Sequence, residues 1–265
     1  MNRPPRFVAR TLLLGLAAVV ALSALGGCKA PKSKRIAIAG PAVAAGAAVG
    51  LDVQNQNGGV KVVVTSWRAE PVVVARTRTG GRVATEGENA QAWIAAESVD
   101  QDGRSVLRVL ASPAEGGAGE PVDLVIFVPR CDGLTVRNAG GPVEVVGVAG
   151  AVDVESGGAG RPGGWIRVRS DHPVAAPVRL ITDEGTIVCV VTPDSAGRIS
   201  MNAPHGSAKI FAPETVLLGA QVSQTAISAT LNGGSNDIVL HTASGDAQLI
   251  VRERPESYLT PRFKP

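Results

Sequence analysis

Few side chains of the kind that carry out chemistry occur in this chain, and their spacing argues against a reaction centre. The three histidines, His172, His205 and His241, form no His-x-His pair and no His-Glu-x-x-His run, so no metal site is encoded locally. His205 falls in a turn and His241 in a strand, and a neutral role is expected for all three. Of the cysteines, Cys28 ends an apolar leader, which leaves Cys131 and Cys189. Export to an oxidising space makes a disulfide between those two one option. Cys189 alternates with Val188 and Val190, which fits an inward thiol equally well. A Gly-x-Ser-x-Gly elbow and a P-loop are both missing. The glycines of 157–164 have neither the strand–helix context nor the Lys-Ser/Thr of a phosphate loop, and read as a protruding insertion. Asn232-Gly-Gly-Ser-Asn-Asp237 offers oxygen ligands, but one isolated turn is no calcium repeat. The acids Asp153, Glu155, Asp183 and Glu184 can approach one another if their segments stack, as a polysaccharide-cleaving enzyme would require. Such sites also want aromatic platforms, and Trp67, Trp93 and Trp165 are far apart in the chain, with Tyr258 the single tyrosine. No catalytic residue, metal or cofactor is expected.

The leader is more informative. Arg3, Arg6 and Arg10 form a positive start, and Thr11 to Leu25 is uncharged and mostly apolar. That run is shorter than the roughly 20 residues needed to span a bilayer. It ends in Leu25-Gly26-Gly27-Cys28, which resembles the bacterial lipobox. The resemblance implies cleavage after residue 27, acylation of Cys28, and membrane attachment through that residue. Lys29, rather than aspartate, follows the cysteine, which favours outer-membrane over inner-membrane sorting. The net charge of +3 equals the leader's three arginines, so the chain from Cys28 onward is balanced. Lys29, Lys32, Lys34 and Arg35 cluster beside the anchor, where they meet either water or anionic headgroups. No nucleic-acid footprint is present.

Of the 265 residues, 45% are apolar and 3% aromatic, with Gly 32 and Pro 18. That apolar fraction supports a core, while so much glycine and proline argues against a helical bundle. From Leu51 onward short strands of alternating apolar residues are divided by turns of Asn, Asp or Ser with Gly. Leu51 to Val64 turns at Gly58, Leu134 to Val146 at Gly141, Val152 to Val168 at Gly158, and Arg179 to Val191 at Gly185. Ile199 to Ile210 turns at Gly206, Ala229 to Leu240 at Gly234, and Val239 to Val251 at Gly245. Glycine supplies the positive φ such corners need. One unit cannot bury its own apolar face, so the units must stack. An all-β, single-domain β-solenoid, or parallel β-helix-like stack, is expected, with a β-sandwich as the alternative. Strands are also expected over 71–77, 105–111 and 122–128, and a short helix over 86–96. The expected organisation is a leader over 1–27, a low-complexity tether over 28–50, the β body over 51–251 and a flexible tail over 252–265.

Three stretches carry a family likeness: Val122-Asp-Leu-Val-Ile-Phe-Val-Pro-Arg130, Leu134-Thr-Val-Arg-Asn-Ala-Gly-Gly141, and Leu231 through Leu249. Over roughly residues 50–251 the chain resembles the bacterial putative-adhesin family of β-solenoid domains. The resemblance implies a cell-envelope location and supplies no catalytic residues. The expected function is a non-enzymatic, lipid-anchored envelope protein acting as a structural or interaction module, its partner an unidentified envelope protein or glycan. A polysaccharide-active β-helix enzyme or binding protein is one rival. A sensing or assembly factor that captures a partner by strand addition is the other.

Overall fold

The computed structural model describes residues 32–77, 83–84, 92–113, 121–158 and 161–258. The leader and Cys28 lie outside the described residues. Within them the repeating unit is a strand, a tight corner and a second strand, and the two strands enter different sheets. In β9 (Arg130–Asn138) and β10 (Gly141–Val146), Leu134, Val136, Val143 and Val145 face inward and are buried. The same alternation recurs in β2 (Ala48–Asn55) with β3 (Val60–Val64), and in β7 (Arg104–Pro113) with β8 (Val122–Val128). It continues in β11 (Ala149–Ser156) with β12 (Gly163–Arg169), and in β13 (Val178–Glu184) with β14 (Ile187–Val191), where β14 is buried on both faces. The last two pairs are β15 (Gly197–Asn202) with β16 (Ala208–Phe211), and β19 (Asp237–Ser244) with β20 (Ala247–Val251). Branched residues suit the half-buried pleat, and each fully buried Val, Leu or Ile contributes about 1.5–3 kcal/mol.

Among the described residues the strands form two large mixed sheets. One has nine strands in the order β1-β4-β8-β3-β10-β12-β14-β20-β16, and the other eleven in the order β17-β18-β15-β19-β13-β11-β9-β2-β7-β6-β5. From β8 to β16, and from β7 to β15, neighbours run parallel. Antiparallel strands complete the ends: β1 (Lys32–Ile36) and β4 (Val72–Thr77) at one, with β6 (Ala92–Gln101) pairing β7. The short β5 (Val83–Ala84) lies parallel beside β6. At the other end are β17 (Leu217–Val222) and β18 (Ala226–Leu231). One continuous cluster of buried residues fills the space between the sheets.

The corners leading from the eleven-stranded sheet to the nine-stranded one are alike. In register across β2, β9, β11, β13 and β19 stand Asn55, Asn138, Ser156, Thr182 and Thr242, all buried. Each is spent on a corner carbonyl. Asn55 donates to Gly58 at 3.2 Å, Asn138 and Ser156 to Gly141 at 2.8 and 2.9 Å, and Thr182 to Gly164 at 2.9 Å. Thr242 donates to Gly185 at 2.9 Å. The corner glycines stack on one another. Gly141 has φ +104°, and a Cβ there would stand 2.5 Å from the Gly58 carbonyl oxygen. At Gly245, φ +135°, a Cβ would run into the Gly185 carbonyl.

Several expectations are corrected. The helix over 86–96 is not formed in its described part: Ala92 to Gln101 is β6, with Ala92, Ile94 and Ala96 inward at period two. The tether over 28–50 contains two strands, β1 and the start of β2. The tail does not project over 252–258. It folds back on the nine-stranded sheet, where Pro255 is buried and Tyr258 packs on Val188, Val190 and Ile250. Strand order also departs from the serial winding of a solenoid. The β2–β3 pair lies between β7–β8 and β9–β10, and β19–β20 lies between β13–β14 and β15–β16. Two large mixed sheets with a shared core are the observed architecture, and among the described residues they close into no barrel.

Candidate interaction surface

The outer face of the eleven-stranded sheet carries the acids singled out from the sequence. Asp153 and Glu155 point outward from β11, flanked by Arg137 of β9 and Arg179 of β13. Register places Glu155 opposite Arg137 and Asp153 opposite Arg179. Arg137 meets Asp153 at 2.5 Å and Glu155 at 3.7 Å, while Arg179 meets them at 3.0 and 3.4 Å. Burial disfavours the Asp153 carboxylate, but hydrogen bonds and charge from Arg137 and Arg179 outweigh it, holding its pKa below the usual 3.8. A carboxyl held ionised in this way cannot serve as a general acid near neutral pH. Asp183 and Glu184 are exposed at the corner, Asp183 four residues or ~13 Å along the strands from the level of Asp153 and two residues or ~7 Å from that of Glu155. Asp153 and Glu155 share their arginines, and Asp183 and Glu184 stand outside that network.

Towards the strand starts, this face holds a shallow depression of about 620 Å³ whose rim includes Asp52, Asp102, Arg104, Asp132, Asp153 and Arg179. Arg104 and Asp132 pair at 2.9 Å. Its lining contains no aromatic residue. Such a surface offers hydrogen-bonding groups and alternating charge to a polar partner, without a stacking platform for sugar rings.

The nine-stranded sheet presents a different outer face. Glu144 lies between Lys61 at 2.8 Å and Arg169 at 2.6 Å, and the Glu144 and Arg169 side chains are only 15% and 11% exposed. Burial raises the Glu144 pKa, yet the Lys61 hydrogen bond and the charges of Lys61, Arg169 and Arg167 bring it below the usual 4.5. Arg169 also donates to the carbonyls of Glu256 and Tyr258 at 3.1 and 3.0 Å, which fastens the C-terminal strap. Sequence reasoning missed these arginines. Aligning the units on their corner glycines would have found Arg137 opposite Glu155, because both stand one residue before the corner Asn or Ser.

The remaining candidates stay apart. Cys131, on β9, and Cys189, on β14, are buried free thiols in different sheets, so no disulfide joins them. Burial pushes both up to about 12, with Asp132 adding to the effect at Cys131. A thiol so protonated is a poor nucleophile. His172 and His205 are exposed and His241 is half-buried. Among the described residues no three His, Cys, Asp or Glu side chains gather as metal ligands, and no helix is long and apolar enough to cross a membrane.

No protein-family model matches the chain, and no curated protein matches it in sequence. Among solved structures it is similar to a putative cell adhesion protein from Clostridium sporogenes, at 11% identity and a TM-score of 0.43, covering 84% of this chain and 100% of that one. It is also similar to a putative adhesin from Bacteroides fragilis, at 9% identity and a TM-score of 0.28, covering 84% and 98%.

Proposed function

We propose that this protein is a non-enzymatic, lipid-anchored module of the bacterial cell envelope, a rigid β stack that presents polar surface to an envelope protein or glycan. The observation that carries the reading is the Arg137–Asp153–Arg179–Glu155 network. The acids singled out for sugar chemistry on this face, Asp153 and Glu155, are each bound by the neighbouring arginines. The Leu25-Gly26-Gly27-Cys28 sequence supports acylation at Cys28. One acyl chain binds only marginally, whereas two or three hold a protein to its membrane. Three residues separate Cys28 from β1, a reach of about 10–14 Å. On this reading the β1 end of the stack stands against the headgroups and the β16–β18 end points away. The outer membrane is the proposed address. Detergent partitioning of the wild type and Cys28→Ser, with intact mass, tests the anchor. The acylated wild type enters the detergent phase, and the variant stays in the aqueous one. Crosslinking in intact cells, with glycan turnover measured in parallel, tests the rest: sugar release that disappears in Asp153→Asn would overturn the non-enzymatic reading.

A further inference from the structure

The β1 end of the stack carries an uncharged surface that the core covers only in part. Residues 37–48, from the end of β1 into β2, contain no side chain able to hydrogen-bond, and none is buried, although Ile38 and Val43 pack partly on the core. The segment is fixed rather than loose. The Ala39 backbone exchanges hydrogen bonds with Ala96 and Ser98 of β6 at 2.9 and 2.8 Å, and Gly46 donates to Ala69 at 3.2 Å. The last contact joins it to the loop 65–71, where Trp67 is 69% exposed. The Trp67 ring lies 6.1 Å from Phe127, and the Arg68 guanidinium sits over both rings, at 4.1 and 5.0 Å from their centres. A tryptophan displayed in this way, continuous with a dozen uncharged residues, is unusual for a face that meets only water.

We propose that this corner is a second point of membrane contact, with Trp67 seated at the headgroup level of an anionic lipid surface. The inference rests on the lipid-anchor reading above and adds the orientation of the body. Three observations choose lipid over another occupant. The first is chain order: β1 begins four residues after Cys28 and leads directly into the apolar segment. The second is charge. Lys34, Arg35, Arg68 and Arg76 lie on β1, β4 and the Trp67 loop, against Glu70 in that loop and Asp123 in register with Arg76. The excess is positive, as attraction to anionic lipid requires. The third is the ring itself, since tryptophan with its apolar body and polar N–H favours the membrane–water interface. A second contact restricts the tilt of the stack, which a single acylated cysteine does not.

The full-length acylated protein is reconstituted into vesicles of phosphatidylcholine, with or without phosphatidylglycerol, containing lipids brominated close to the glycerol. Tryptophan quenching is compared between wild type and Trp67→Phe, whose exposed position leaves the melting temperature unchanged. The expected result is strong quenching in the wild type that is mostly lost in the variant, increases with phosphatidylglycerol and weakens with salt. Equal quenching of both proteins on vesicles that bind both overturns the contact and leaves the anchor standing. An emission shift caused by soluble peptidoglycan fragments, without bromolipid quenching, assigns the corner to a glycan and overturns the proposal as well. A full-length protein whose intact mass carries no acyl group sinks the anchor reading, and the proposal with it.

Discussion

The two corners of the stack are built on opposite principles. Where the chain passes from the eleven-stranded sheet to the nine-stranded one, Gly58, Gly141, Gly164, Gly185 and Gly245 stack, and Asn, Ser or Thr of the eleven-stranded sheet binds the carbonyls of Gly58, Gly141, Gly164 and Gly185. Backbone conformation and uncharged hydrogen bonds set that corner, so little variation is tolerated. At the opposite corner the connections differ from one layer to the next. They include the Trp67 loop, Gly147 against Val64 and Glu256, and the strap held by Arg169 and Glu144. Side chains and charge set this corner, so it is free to carry a role of its own. The contrast locates fold specification on one edge and surface function on the other.

Substitutions grade the difference. Gly245→Ala places a Cβ against the Gly185 carbonyl at a φ that L residues avoid. It should cost about 3 kcal/mol or more in urea unfolding, enough to leave much of the protein insoluble. Thr182→Val leaves the Gly164 carbonyl without its buried donor, and a loss of about 2 kcal/mol is expected by the same measurement. Gly147→Ala, at the opposite corner, has φ +80° but meets only side chains, at 3.0 and 3.1 Å. Its cost should be about 1–2 kcal/mol. Gly46→Ala, at φ +70° with open space around it, should cost about 1 kcal/mol. A cost at Gly147 or Gly46 equal to that at Gly245 would erase the distinction.

Acid should separate the corners more gently. The Glu144 pKa is lower in the folded chain than its usual 4.5, so the stability it contributes is complete above that value and is lost as pH falls through the lowered one. Hydrogen-exchange protection of residues 252–258 should therefore fall as the pH drops below 4.5, while that of Gly185, whose N–H donates to the Ser244 carbonyl, holds. Glu144→Gln should remove the pH dependence of the strap. The more exposed Asp153 network, its carboxylate 35% accessible, should change stability by less than about 1 kcal/mol when Asp153 becomes Asn.

Much of this was readable from residue order. Alternating valines marked the strands and nearly every corner glycine, because both signals are local. Gly158 was chosen where Gly164 joins the stack, since two glycine pairs lie in one insertion and only packing against Gly141 selects between them. In the described part of the helix expected over 86–96, the alanines favour helix locally, while pairing with β7 makes Ala92, Ile94 and Ala96 a period-two face. Strand β1 reads as tether in the sequence because an edge strand needs little apolar character of its own. Asp153 and Glu155 were visible as acids, but their neutralisation depended on which strands lie beside β11. That order is a property of the whole stack.

The position of β19–β20 between β13–β14 and β15–β16 makes the last rung an internal one. A chain cut before Asp237 would lose a layer from the middle, with a seam on either side of the missing strands. Folding must therefore bring in the C-terminal segment before the β15–β18 end of the molecule can close on the rest.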